Sequence, residues 1–414
     1  MINATRAFLF AVIAGVGLAV PLGVAAEEAV TNKAVAEYLS QAKKQAGAKR
    51  WQAALAALEK ARQVPGASGY AEYKIDEFRG YVLTRQRRYP EAASVFERLA
   101  SSDVTPAADR TGHLKTAAQL YMEAKQYAAA ARVSDSAVHR GQGSTALLEL
   151  AGQANYLAGN YRVAADRIGQ LLAATQRQGA EPKEEWLRIQ LNSYYRLNDR
   201  EHIARAWESL LRNYPKPEYW RTVLDLQNAE TRPEKVELYY LALTFDVGVL
   251  DDPADYETLA LGAIDLGVPA AAVRVLEGGF RAHVLKDYDA RFQRMLAHAR
   301  SEAAKSAASL DDLARQARRA STGEPDANVG RAYLSQGKYE QAVQALQRAS
   351  HKGNLRNPEQ ARIDLGVAYL KSGDSERAQQ AFAGVAAKSE WHDLANLWAL
   401  RTNEVAARNE TAQR

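Results

Sequence analysis

The sequence predicts an all-α fold: a right-handed superhelical solenoid of about ten helical hairpins. Three observations carry that expectation. First, one pattern occurs twice between Gly323 and Ala387. It runs Gly330, Tyr333, Gly337-Lys338-Tyr339, Ala342, Leu346, Ala349, and then Gly366, Tyr369, Gly373, Ala378, Phe382, Val385, each residue 36 after its counterpart where Gly330 is set on Gly366 and Ala342 on Ala378. Second, a small residue recurs through the chain at Ala54, Ala92, Ala130, Ala164, Ala204, Ala272, Ala342 and Ala378. Third, turn signals fall between the apolar stretches, at Gly159-Asn160, Asn198-Asp199, Gly267, Gly337 and Gly373.

Each part of a hairpin has its own justification. Three positions before the recurring alanine stands an aromatic that opens the second helix: Trp51, Tyr89, Tyr127, Tyr161 and Tyr339. Four positions after it stands a large apolar residue: Leu58, Phe96, Ile168, Leu276, Leu346 and Phe382. Nine positions before it, the first helix carries Tyr121, Tyr195, Tyr333 and Tyr369. Small residues belong where two helices press closest, and large ones fill the space beside them. Pro65, Pro106, Pro215 and Pro358 lie near unit ends, where a helix must stop. The pattern resembles the tetratricopeptide repeat, whose period is about 34 residues. Two intervals, from Ala204 to Ala272 and from Ala272 to Ala342, are each near twice a period, so each is expected to hold a degenerate unit. The first of these, Pro217 to Val249, is aromatic-rich, with Tyr219, Trp220, Tyr239, Tyr240 and Phe245. The second, Tyr288 to Ala320, is rich in alanine and basic residues and reads as a degenerate hairpin or a looser joint near Ala303.

The expected organisation is therefore a signal segment at 1–26, a solenoid over 27–287, a degenerate unit or joint over 288–322, a pair of clean repeats with an end helix over 323–401, and a polar tail over 402–414 that frays. The signal reading rests on Arg6, the apolar run Ala7 to Val20, and small residues at Val24-Ala25-Ala26 suited to cleavage. That run is short for a membrane span, and no later segment is apolar enough to make one. The expected location is a bacterial periplasm. The chain has 414 residues and no cysteine, which excludes a disulfide, a thiolate zinc site or a cysteine nucleophile. A net charge of +5, with 25 % charged residues of both signs, argues against a nucleic-acid binder.

No catalytic, cofactor or metal constellation stands out. The seven histidines are scattered, without a His-Glu-x-x-His pair. Gly337-Lys338 lacks the earlier glycine of a phosphate loop, and Gly141-Gln142-Gly143 follows a helix rather than a strand. Asp251-Asp252-Pro253 reads as a helix cap with proline in the first turn. Basic clusters at Lys43-Lys44 with Lys49-Arg50, at Arg85 with Arg87-Arg88, and at Arg315 with Arg318-Arg319 read as solvated faces or as contacts for an acidic partner. Surface is what remains. The first helix of each hairpin should line the concave side, where phase exposes Tyr81, Arg85, Lys115, Gln119, Gln153, Tyr156, Trp186, Ile189, Ser193 and Arg196 to a protein partner. Trp186 is the most suggestive, because a large aromatic with a polar edge anchors many interfaces.

The second half also resembles a narrower group, the periplasmic tetratricopeptide proteins that accompany the TonB–ExbB–ExbD energy-transducing system of Gram-negative bacteria. The resembling residues are Pro217-Glu218-Tyr219-Trp220, Tyr256-Glu257-Thr258-Leu259-Ala260, Leu266-Gly267-Val268-Pro269-Ala270-Ala271, Val275-Leu276-Glu277-Gly278-Gly279, and Trp391 with Trp398. The resemblance implies a non-catalytic scaffold that helps couple inner-membrane proton flow to outer-membrane uptake of iron chelates or similar nutrients, with TonB, ExbB or ExbD subunits as partners. Two alternatives stay open: a scaffold of another envelope assembly (polysaccharide export, pilus or outer-membrane biogenesis) and, remotely, an enzyme acting on cell-wall material.

Overall fold

The computed structural model describes residues 32–140, 144–228 and 232–412; the expected signal segment 1–26 and Gly141-Gln142-Gly143 lie outside the described residues. Twenty helices and no strand occur among the described residues. The chain forms two compact units, one up to Ile203 and one from Ala204.

The first unit runs α1 (Lys33–Gly47), α2 (Trp51–Arg62), α3 (Gly69–Arg85), α4 (Tyr89–Ser101), α5 (Ala107–Glu123), α6 (Tyr127–Arg140), α7 (Thr145–Ala158), α8 (Tyr161–Arg177) and α9 (Glu184–Leu197). Each helix packs on the next, and the first helices α1, α3, α5, α7 and α9 also contact one another at α1–α3, α5–α7 and α7–α9. Helix α10 (Arg200–Asn213) spans the division between units.

The second unit continues with α11 (Pro217–Asn228), α12 (Glu234–Asp246), α13 (Pro253–Asp265), α14 (Pro269–Arg281), α15 (Ala290–Arg319), α16 (Glu324–Ser335), α17 (Tyr339–Lys352), α18 (Pro358–Lys371), α19 (Ser375–Ala383) and α20 (His392–Ala412). Three expectations change here. The segment read as a degenerate hairpin is one unbroken helix, α15, that buries Phe292, Leu296, Ala299, Leu310, Ala314 and Ala317. With apolar residues continuous on one face and no glycine or proline from Ala290 to Arg319, nothing breaks it. The division between units falls at Ile203 rather than near Ala303, which lies inside α15. The segment read as a polar tail from 402 is helix to Ala412, and Thr402 and Glu404 are buried.

The hairpin turn is one motif throughout. The residue five positions before the recurring small residue takes a left-handed backbone, at Gly159, Gly267, Gly337 and Gly373, and equally at Lys49, Arg87, Lys125 and Asn198. The next amide then donates back to a carbonyl five residues earlier: Arg88 to Leu83, Gln126 to Tyr121, Asn160 to Asn155, Asp199 to Tyr194, Lys338 to Tyr333 and Asp374 to Tyr369. Such a turn satisfies the last carbonyls of the first helix and starts the second in a fixed direction. Glycine is the residue that takes this backbone without strain.

That register corrects one position. Ala204 is exposed, whereas Ala54, Ala92, Ala130, Ala164, Ala272, Ala342 and Ala378 are fully buried. Counting five from Asn198 leads to Ile203, and the buried face of α10 follows from it through Ala206, Trp207, Leu210 and Leu211. The same shift puts Tyr194 in the position of Tyr333 and Tyr369 and leaves Tyr195 exposed. Two adjacent aromatics and an Ile-Ala pair offered the pattern two phases, and the turn decides between them.

In four hairpins a glycine on the first helix meets the large apolar residue sixteen further on. A Cβ on Gly330 would sit 2.5 Å from Leu346, and one on Gly152 would sit 2.5 Å from Ile168. Gly366 meets the Phe382 ring more closely still. We expect Gly366→Ala to cost about 1–3 kcal/mol through overpacking. Arg87→Gly relieves a strained backbone and should gain about 0.5–1 kcal/mol, net of the entropy glycine loses on folding. Denaturant midpoints of the two variants against the parent check both signs.

Candidate partner-binding surfaces

In the first unit the ten sequence-selected residues lie on α3, α5, α7 and α9, and they divide into two sets. Seven reach the surface: Tyr81, Lys115, Gln119, Gln153 and Tyr156 are half-buried, and Arg85 and Arg196 are exposed. Three do not. Trp186 is 6 % exposed, Ile189 5 % and Ser193 0 %, so these three are corrected from lining residues to core. The reason is that α9 follows α7 closely enough to be covered by it. Trp186 Nε1 donates to Glu149 Oε1 at 2.9 Å, and Lys183 Nζ donates to the same oxygen while lying over the indole ring. Ile189 joins the core beside Leu171, and Ser193 Oγ donates to the Ile189 carbonyl at 2.7 Å. Trp186 thus packs against the neighbouring repeat.

Several of the remaining seven are also held by neighbours. Arg85 lies over the Trp51 ring and Arg196 over Tyr161, while Tyr156 meets Tyr161 edge-on. Gln153 Nε2 donates to Glu185 at 3.4 Å. Two of the basic clusters are partly neutralised, with Arg88 paired to Glu91 and Arg315 to Asp312.

Between α3 and α5 the first unit holds a buried titratable group. His113 is 7 % exposed, stacked on Phe96 and edge-on to Tyr73. Its Nε2 lies 3.4 Å from Tyr73 Oη, which also approaches Glu77 and Asp109. Burial pushes the imidazole below its ordinary value, and the nearby Glu77 and Asp109 only partly oppose this.

The second unit turns back on itself, bringing its early helices against its late ones. Tyr239 Oη on α12 donates to Asp364 Oδ1 on α18 at 2.6 Å, and Gln360 Nε2 donates to Tyr239 Oη at 3.0 Å. Arg331 on α16 pairs with the same Asp364 at 3.4 Å. Asp246 at the end of α12 is held by Lys371 and by Arg401 Nε at 3.0 Å. Trp220 Nε1 on α11 donates to Glu404 on α20 at 3.1 Å, and Tyr239 meets Trp391 edge-on. Burial pushes the Asp364 carboxyl up from the ordinary carboxylate range, against the pull of Arg331 and of the Tyr239 hydroxyl.

This closure leaves an open cavity of about 270 Å³ with a wall that is largely aliphatic and aromatic. Leu238, Phe245, Leu259, Leu266, Leu334 and Trp398 are among its lining residues. Charged groups also line it: Asp246, Arg274, Arg331, Asp364 and Lys371. Sequence reasoning missed it because its residues come from helices more than 120 positions apart. The signal available was the aromatic richness around Tyr239. No group of three or more His, Asp or Glu able to hold a metal occurs among the described residues.

Comparison with known proteins places the repeat type. Residues 39–108 and 330–390 match the tetratricopeptide repeat. No curated protein matches the sequence. Among solved structures, a tetratricopeptide repeat protein from Parabacteroides merdae is similar, at 14 % identity, with 81 % of this chain and 99 % of that chain covered and a TM-score of 0.34. PilF of Pseudomonas aeruginosa gives 17 %, 48 %, 98 % and 0.26, and the TPR2AB domain of yeast Sti1, solved with a pHSP90 complex, gives 13 %, 73 %, 99 % and 0.24. At those TM-scores the superpositions say nothing of partners.

Two measurements test the assignments of this section. A histidine whose folded value is depressed contributes stability above its unfolded value near 6.5, and that stability is lost as the pH falls below it. The first unit should therefore weaken between neutral and mildly acid pH, and His113→Gln should flatten this limb in a series of denaturation curves. In the second unit, Asp246→Ala leaves Lys371 and Arg401 without their shared carboxylate and should cost about 1–3 kcal/mol by thermal or denaturant unfolding. Serial helical hairpins among the described residues make this a helical-repeat protein, and two of its stretches, 39–108 and 330–390, match the tetratricopeptide repeat.

Proposed function

We propose that the protein is a non-catalytic scaffold of the bacterial cell envelope that holds protein partners in the periplasm, as an accessory of a TonB–ExbB–ExbD-type system for outer-membrane nutrient uptake. One observation supports the scaffold reading above the others. The second unit is closed by charge pairs around an apolar cavity rather than around a cluster of reactive groups. Its carboxylates Asp246 and Asp364 are engaged with Lys371, Arg401 and Arg331, an arrangement that fixes a wall. The exposed first-helix positions Arg85 and Arg196, with half-buried Tyr81, Lys115 and Gln119, add a second face of mixed aromatic and polar character. Such faces suit protein partners.

The envelope address rests on the apolar run Ala7 to Val20 behind Arg6, followed by Val24-Ala25-Ala26. The TonB assignment rests on the motifs around Trp220, Tyr256, Leu266 and Val275, and on the late tryptophans Trp391 and Trp398. No helix among the described residues is long and apolar enough to cross a membrane.

The test is affinity capture of the tagged full-length protein, after export, from a native Gram-negative envelope. Inner-membrane energy-transduction subunits should be recovered, and deletion of the gene should slow iron-chelate uptake. Recovery of subunits from a polysaccharide-export, pilus or outer-membrane-biogenesis assembly would keep the scaffold and replace the TonB assignment. Recovery of no protein partner would remove the scaffold itself.

A further inference from the structure

We propose that the cavity of the second unit seats an apolar side chain of a partner polypeptide that carries an acidic residue beside that anchor. The inference rests on the scaffold reading and names the chemistry of its partner. At about 270 Å³ the cavity lies just under the range of sites for drug-sized ligands, and it suits one or two apolar side chains.

The polarity of the wall then selects what accompanies them. Each wall carboxylate is already engaged, Asp364 by Tyr239 and Arg331, and Asp246 by Lys371 and Arg401. Among the lining cations, Arg331 and Lys371 are spent on these carboxylates and Arg274 is not. Trp398 is 3 % exposed, and its Nε1 has no hydrogen-bond partner. Arg331 Nε is likewise buried without an acceptor. Both nitrogens are sealed from solvent, so they offer no contact to an incoming chain. Among the lining residues Arg274 is exposed, and no ion pair reaches it among the described residues. An exposed cation lining an apolar pocket favours a carboxylate on the incoming segment and disfavours a lysine or arginine there. An apolar lining and one exposed, unpaired cation among its residues describe an acidic-apolar polypeptide.

The experiment uses the full chain, ¹⁵N-labelled at tryptophan. The Trp398 indole resonance is assigned by its absence in Trp398→Phe. Four blocked octapeptides serve as probes, each with a central Leu or Phe flanked by either glutamates or lysines. The glutamate-flanked peptides should shift the Trp398 resonance and bind about fivefold more tightly than the lysine-flanked ones. Arg274→Glu, on an exposed position that does not endanger folding, should abolish or reverse that preference. Ala242→Phe should fill the cavity and remove binding. The proposal is overturned if no peptide moves the Trp398 resonance, if the two flanking chemistries bind alike, or if Arg274→Glu leaves the preference intact. If the peptides fail while envelope partners are still captured, the cavity assignment is lost and the scaffold reading stands. Loss of capture as well would remove both.

Discussion

The close crossing inside each hairpin is the constraint on which the rest of the structure depends. A glycine or alanine on the first helix lets the two backbones approach until a large residue sixteen positions later fills the contact. Gly330 with Leu346 and Gly366 with Phe382 show the geometry at its tightest. The turn before the crossing fixes where that contact falls, because a left-handed residue five positions before the small one sets the register of the second helix. A repeat so determined locally cannot bury its own outer faces. Each hairpin therefore recruits the next, and the first helices of the first unit come to lie beside one another.

The second unit adds a long-range condition to this local rule. Its buried polar contacts join α12 to α18 and α20, and α11 to α20, across more than a hundred residues of chain. Buried charges stand where they have partners, since an unpaired one would cost far more than a hydrogen bond contributes. Asp364 shows the balance. Its burial resists ionisation, while Arg331 and the Tyr239 hydroxyl draw it the other way. Apolar packing around Trp391 and Trp398 brings the ends of the unit together, and the polar pairs select the register in which they meet.

The sequence pattern reached the hairpins through residues close together in the chain. The aromatics that open second helices, Trp51, Tyr89, Tyr127, Tyr161 and Tyr339, are in each case the first helical residue. The large residues four beyond the small ones are buried without exception. Where the pattern failed, an ambiguity in phase was responsible. Ala204 beside Ile203, and Tyr195 beside Tyr194, satisfied the spacing about equally well, and only the backbone at Asn198 separates them. Trp186 failed differently. Its position on the first helix was placed correctly, but whether Glu149 and Lys183 would cover it depends on how closely α7 and α9 approach. No local pattern encodes that distance. The residues of the second-unit cavity were legible only as an aromatic excess around Tyr239, because their common purpose appears when chain segments far apart are brought together.

Closure also determines the chemical character of the cavity it creates. To bring α12 against α18 and α20, the unit commits both of the nearby carboxylates, Asp246 and Asp364, to cations and a hydroxyl of its own. Acceptors are thereby consumed in the act of folding, whereas the indole of Trp398 and one nitrogen of Arg331 are left over. The cavity is consequently apolar in surface, with Arg274 an exposed lining cation that no ion pair reaches among the described residues. That asymmetry was set by the requirement that buried charges be paired, which spends Arg331, Lys371 and Arg401 inside the unit and leaves Arg274 to face outward.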